Sequence, residues 1–127
     1  MMIYLSAKIT TQARLRPIRA RLRVLGHVCE SSWLDEADAE YPVEPARARA
    51  KALREFSEIA LADLFILDTL DESVTGGRDV ELGYALRDDQ NDIGPGVMFW
   101  RVGPVRNVFH ELADEVFETW EDVWTRI

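Results

Sequence analysis

The chain has 127 residues, with 15 basic against 23 acidic side chains and a net charge of −8. That balance argues against a nucleic-acid polymer as main partner, because phosphate contacts need a basic surface. A hydrophobic fraction of 47% argues against disorder, and the length fits one domain over residues 1–127. The lone Cys29 allows no internal disulfide, and no apolar run reaches the ~20 residues a membrane span needs, so a cytoplasmic protein with no membrane partner is expected.

Ile3-Tyr4-Leu5 reads as a buried first strand. Leu15, Ile18, Leu22 and Leu25 then recur at helical spacing, and Gly26 stands where a C-terminal cap belongs. Pro17 implies a helix start nearby or a kink. Arg14, Arg16, Arg19, Arg21 and Arg23 crowd into this helix; a solvated face or an oligomer contact outweighs a polyanion site. His27 to Trp33 reads as a second strand, and Leu34 to Pro45 as an acidic surface loop that could cover a site. Arg47 to Leu61 is rich in helix formers, with Leu53, Phe56, Ile59 and Ala60 on its apolar face.

Leu64 to Leu67 is continuously apolar, hence a strand buried on both faces, and Asp68 ends it. The loop Thr69 to Thr75 leads to a helix from about Gly77 to Arg87. Asp88 to Pro95 is polar, and Gly96 to Trp100 is a further strand. Val116-Phe117 is a last short strand, and Thr119 with Asp122 marks the start of a final helix. This alternation of about five strands with helices predicts a doubly wound parallel sheet in three α/β/α layers. The loops after Leu5, Leu67 and Val102 should line one crevice at the carboxyl ends of the strands.

The run Gly76-Gly77-Arg78-Asp79-Val80-Glu81-Leu82-Gly83-Tyr84-Ala85 carries the chemistry. Two glycines let a ligand approach the backbone. Glu81, in the first turns of a helix, has the position of a nucleophile or base, and the helix dipole favours its ionised form by roughly 0.3–1 kcal/mol. Ser6 and Lys8 follow the first strand toward the crevice, and Asp68, at the end of the Leu64 to Leu67 strand, is an acid that could face a bound group. Asp63 suits a structural hydrogen bond at a strand start. Asp79, two residues before Glu81, lies on another helix face. His27 and His110 have no ligand-spaced partners, so neither a metal nor another cofactor is expected. Cys29 reads as core. Trp100, Trp120 and Trp124 read as core or interface, although one of them could stack on a base.

Ile3-Tyr4-Leu5-Ser6-Ala7, Ala62-Asp63-Leu64-Phe65-Ile66, the glycine-led run and Arg106-Asn107-Val108-Phe109 together resemble the nucleoside 2-deoxyribosyltransferases, from about Ile3 to Trp120. The resemblance implies a flavodoxin-like fold. It implies an enzyme that cleaves the N-glycosidic bond of a 2′-deoxynucleoside and transfers the deoxyribose to a free base through a deoxyribosyl-glutamate intermediate. On the matching positions Glu81 is the nucleophile and Tyr4 orients it. Asn107 reaches the sugar 5′-hydroxyl in a neighbouring subunit, which implies a homo-oligomer. Ser6, Glu55, Asp68, Gly76 and Gly77 complete the expected substrate site. Glu55 stands where relatives often have an aspartate facing the base, and Thr75 replaces an acid before the glycine pair.

Three alternatives differ in class. Water as acceptor gives an N-glycoside hydrolase acting on nucleosides or 5′-monophosphates. The glycine-free first loop and Asn107, in place of a serine, favour a free 5′-hydroxyl, though Lys8 and Arg106 could meet a phosphate. A non-catalytic nucleotide sensor is disfavoured by Tyr4 and Glu81 occurring together. A receiver domain fails because Ser6-Ala7-Lys8 lacks the acid pair that would hold Mg²⁺.

Overall fold

The computed structural model describes residues 1–36, 44–71, 76–87 and 97–127. Four strands, β1 (Ile3–Ser6), β2 (Leu64–Asp68), β3 (Met98–Val102) and β4 (Glu115–Phe117), form one sheet in the order β1-β2-β3-β4. Every pairing is parallel. The helices are α1 (Gln12–Val24), α2 (Pro45–Ala60), α3 (Gly77–Leu86) and α4 (Trp120–Arg126). The expected α/β architecture is therefore present, as an all-parallel sheet flanked by helices. Thr75, residues 88–96 and most of the acidic loop before Pro45 lie outside the described residues.

Strand alternation decides what each face carries, because successive side chains point to opposite sides. Tyr4 pairs in register with Phe65, and Phe65 with Phe99. The Tyr4 and Phe65 rings stack at 5.7 Å, and Phe65 meets Phe99 edge-on at 6.2 Å. This face lies under α2 and α3, themselves joined by a Phe56–Tyr84 stack at 4.1 Å. The opposite face packs on α1 and α4, which meet where Arg21 lies 4.4 Å over the Trp124 ring. Leu5, Leu15, Leu22, Ile66 and Val102 are wholly enclosed, each such burial being worth about 1.5–3 kcal/mol.

The expected second strand is the main correction to the architecture. Val28 makes a single parallel bridge to Met2, with Ile3 N–H donating to Val28 O at 2.8 Å. Ser31 then adopts a left-handed conformation (φ 38°), which no strand tolerates. Side chains replace the missing ladder: Leu5 N–H donates to Ser31 Oγ at 2.9 Å, and Trp33 Nε1–H donates to Leu5 O at 2.8 Å. The outer edge of β1 is thus satisfied without a fifth strand.

Helix α1 runs through Pro17 and ends at Gly26, whose φ of +93° suits glycine. Its arginines are committed within the fold. Arg14 pairs with Asp68 and Asp71, Arg19 with Asp35, and Arg23 with Glu30, while Arg16 Nε–H donates to Leu34 O. Among the described residues that helix face is stitched to its own fold. Asp63 accepts the Met2 N–H at 2.8 Å, the structural role expected of it. Thr119 and Asp122 form a reciprocal capping box on α4. Among the described residues no helix is long and apolar enough to cross a membrane.

Candidate active site

A cleft of about 630 Å³ opens beyond the carboxyl end of β1, between α2 and α3. That is the size range of small-molecule sites. Lys8, Trp33, Glu55, Gly76, Gly77 and Glu81 are among its walls. The first loop contributes as expected, whereas the loop after β3 does not line it.

Helix α3 sets the geometry. Arg78, Leu82 and Ala85 turn inward at helical spacing, and Val80 turns to solvent. Glu81 lies between them on the cleft side. Tyr4 and Ser6, two apart on β1, point to the same face of the sheet, so alternation delivers both beneath α3. Ser6 Oγ–H donates to Glu81 Oε2 at 2.6 Å. The fully enclosed Tyr4 hydroxyl lies close enough to Glu81 for each to shift the other's titration, yet it closes no hydrogen bond in this structure. Burial, then Glu81, drives the Tyr4 phenol far above its usual range, so it stays a protonated donor. Ser6 holds the glutamate by its short hydrogen bond, with the Tyr4 hydroxyl beside it.

Burial works against the ionised form of Glu81 that the helix terminus favours. Burial pushes its carboxyl up to about 8, against the opposing hydrogen bond from Ser6 and with further upward pressure from Glu55. The helix-terminus contribution is too small to reverse that desolvation. Glu55, half-buried on α2, is pushed up to about 7 by burial and then by Glu36 and Glu58. Two carboxyl groups with raised pKa values therefore share one cleft, and Glu55 adds to the rise at Glu81.

Gly76 and Gly77 have ordinary negative-φ backbones, and a Cβ on either would meet nothing within 4 Å. Their contribution is open space beside the cleft, not an unusual turn. Lys51, on the opposite wall, is tied to Glu36 at 3.3 Å.

Asp68 does not belong to this site. It shares the sheet face of Leu64 and Ile66, opposite to Ser6 and Glu81, because it lies an even number of residues from both. There its carboxylate receives Arg14 Nη1–H (2.8 Å) and Nη2–H (3.0 Å), Trp120 Nε1–H (2.7 Å) and Leu70 N–H (3.0 Å). The guanidinium pKa of Arg14 rises in turn, chiefly through that hydrogen bond. Asn107 also lies away from the cleft of its own chain. It caps the 3₁₀ turn Val108–Leu112, its Oδ1 accepting Phe109 N–H at 2.9 Å.

Other aromatic and ionic expectations sort the same way. Trp100 and Trp120 are core, and neither they nor Trp124 line the cleft; Trp33 does. Cys29 is core. Asp79 faces away from Glu81 and accepts His110 Nε2–H at 2.7 Å, while His110 Nδ1 accepts Arg106 N–H at 3.0 Å, which fixes the tautomer. Among the described residues no three His, Cys, Asp or Glu side chains gather as a metal site.

Sequence reading missed Arg78 and Trp33. Arg78 was visible in principle, being three residues before Glu81 and hence on the same helical face. Trp33 carried no signal, since it is placed by the left-handed Ser31.

An open, all-parallel α/β sheet with a two-carboxyl cleft at its carboxyl edge defines the class of architecture. Within that class the chain is similar in structure to the CMP N-glycosidase BcmB of Clostridium botulinum, with a TM-score of 0.55, 14% identity, and coverage of 98% of this chain and 95% of that one. No protein-family model and no curated protein matches the sequence.

Proposed function

We propose that this protein cleaves the N-glycosidic bond of a 2′-deoxynucleoside with Glu81 as nucleophile and passes the deoxyribose to a second base. The observation that carries the reading is the Glu81 carboxyl, reached by Ser6 Oγ at 2.6 Å in the wall of a nucleoside-sized cleft. In the reactive state the pair of carboxyl groups holds one proton, on Glu55 and not on Glu81. Glu81 Oε attacks the anomeric carbon as the carbon–nitrogen bond breaks, and the electron pair leaves with the base. Glu55 supplies the proton the departing base requires. The ring nitrogen of an incoming base then displaces Glu81, returning the proton to Glu55. Negative charge on Glu81 stabilises the oxocarbenium-like transition states of both halves.

Water as the acceptor gives hydrolysis by the same steps, and the likeness in fold to a CMP N-glycosidase favours this second reading. One assay separates them. Deoxynucleosides are incubated with and without a second free base, and products are followed by chromatography. A new deoxynucleoside supports transfer; free deoxyribose alone supports hydrolysis. Tight nucleotide binding with no turnover supports a sensor.

We also propose a homo-oligomer in which Asn107 completes a neighbour's cleft. Support comes from its position on a ridge where Val108, Phe109 and Leu112 are all more than half exposed, an apolar patch that association would cover. An active, strictly monomeric protein in light scattering would remove this claim.

A further inference from the structure

Arg78 is a buried cation in the wall of the cleft that the chemistry above leaves unused. It is 3% exposed, and its Nε finds no hydrogen-bond partner. Among the described residues its guanidinium makes one long hydrogen bond, Nη1–H donating to Asp68 O at 3.5 Å. Among the described residues no carboxylate stands within ion-pair distance of it. Guanidinium does not lose its proton in proteins, and buried charges are ordinarily paired. Every other strongly buried arginine here obeys that rule or its carbonyl equivalent. Arg19 has Asp35 and Glu30 O, and Arg101 has Gly103 O at 3.0 Å and His110 O at 2.8 Å.

The surroundings of Arg78 suit an anion. It lies in the first turn of the ten-residue α3, the positive end of the helix dipole. Gly76 and Gly77 leave open space where side chains would otherwise project. Lys8 lines the same cleft with its ammonium in no ion pair among the described residues, unlike Lys51, which Glu36 holds. The cleft thus keeps two uncommitted cations near the glycine pair, one turn from Glu81.

We propose that Arg78, with Lys8, binds the phosphate of a nucleoside 5′-monophosphate, making Arg78 the residue that selects phosphorylated over free nucleosides. The inference rests on the N-glycoside reading of the same cleft and narrows its substrate. It reverses the preference for a free 5′-hydroxyl drawn from the first loop. A planar guanidinium matches two phosphate oxygens at once, and the partly exposed Lys8 adds a point charge.

The test compares kcat/KM for deoxynucleoside 5′-monophosphates and the matching deoxynucleosides, with equilibrium binding of both to the Glu81→Gln protein. The wild type should prefer the monophosphates at least 30-fold. Arg78→Gln should collapse that ratio 30-fold or more, and Lys8→Ala, a change on a partly exposed residue that does not threaten folding, by three- to tenfold. A wild type that turns over nucleosides without preferring phosphate overturns the inference and leaves the N-glycoside reading intact. Ratios unchanged in both variants do the same. Absence of any turnover, with Arg78-dependent binding of monophosphates, overturns the N-glycoside reading and leaves the anion site standing.

Discussion

The two carboxylates that end up on opposite faces of the sheet make an instructive pair. Asp68 receives four donors, including a bidentate Arg14 and the indole N–H of Trp120. Glu81 receives one, from Ser6, and has Glu55 as an electrostatic competitor. Asp68 is buried and Glu81 half-buried in the cleft wall; one is saturated and the other under-served. A saturated carboxylate has no lone pair left for substrate and functions as a brace. An under-served one has a raised pKa and free acceptor capacity, the properties of a group kept for chemistry.

The contrast is broken most severely by exchanging charge at each site. Glu81→Gln should lower turnover at least 10³-fold, about 4 kcal/mol of transition-state stabilisation, while the protein stays folded. Asp68→Asn should leave the half-exposed Arg14 with Asp71 alone, take the charged acceptor from the Trp120 and Leu70 N–H groups, and destabilise the fold by about 1.5–3 kcal/mol in denaturant titration. If instead Asp68→Asn melted normally and lost only activity, the division of labour would be inverted.

The next effect is on pH dependence. The productive form needs Glu81 without its proton and Glu55 with one, so kcat/KM should follow a bell with apparent pKa values near 7 and 8. Glu55→Gln should erase the alkaline limb and leave a single ascending one. A smaller change is expected from Ser6→Ala, which removes the larger of the two influences, Ser6 and Tyr4, that oppose the rise in the Glu81 pKa. Its ascending limb should move to higher pH, with rates at pH 7 falling about tenfold.

The smallest effect is on stability. The folded pKa of Glu81 lies above its unfolded value, so it binds more protons folded than unfolded between about 4.5 and 8. Its ionisation therefore opposes folding increasingly as pH rises through that window. Glu81→Gln should melt a few degrees above wild type at pH 8.5 and almost level with it at pH 4.5, as calorimetry would measure.

Much of this arrangement was legible in the chain. The apolar run Leu64 to Leu67, the spacing of Leu15 and Leu22, and the Thr119–Asp122 cap each specify an element through local rules. The glycine-led run placed Glu81 correctly at a cleft wall. What could not be read depended on distant partners. The left-handed Ser31 dissolves a strand that His27 to Trp33 otherwise resembles, and its hydroxyl is used on Leu5, 26 residues away. The raised pKa of Glu81 comes from burial under α2 and from Glu55, neither of which its own helix reveals. Asp68 was misassigned for a different reason. Alternation along β2 already put it opposite Leu67, but which face held the cleft was fixed only by the sheet register.

The hydrogen bond from Ser6 to Glu81 spans 75 residues of chain, and Arg14 reaches Asp68 across 54. Neither contact exists until β1 and β2 have paired in parallel across the whole α1–α2 crossover. Helices form in about a microsecond, whereas such non-local pairing carries a large loop-closure cost and is slow. The cleft is consequently a late product of folding, assembled by the same event that closes the sheet. A partly folded chain rich in helix would hold Glu81 as an ordinary solvated acid, without the burial that raises its pKa.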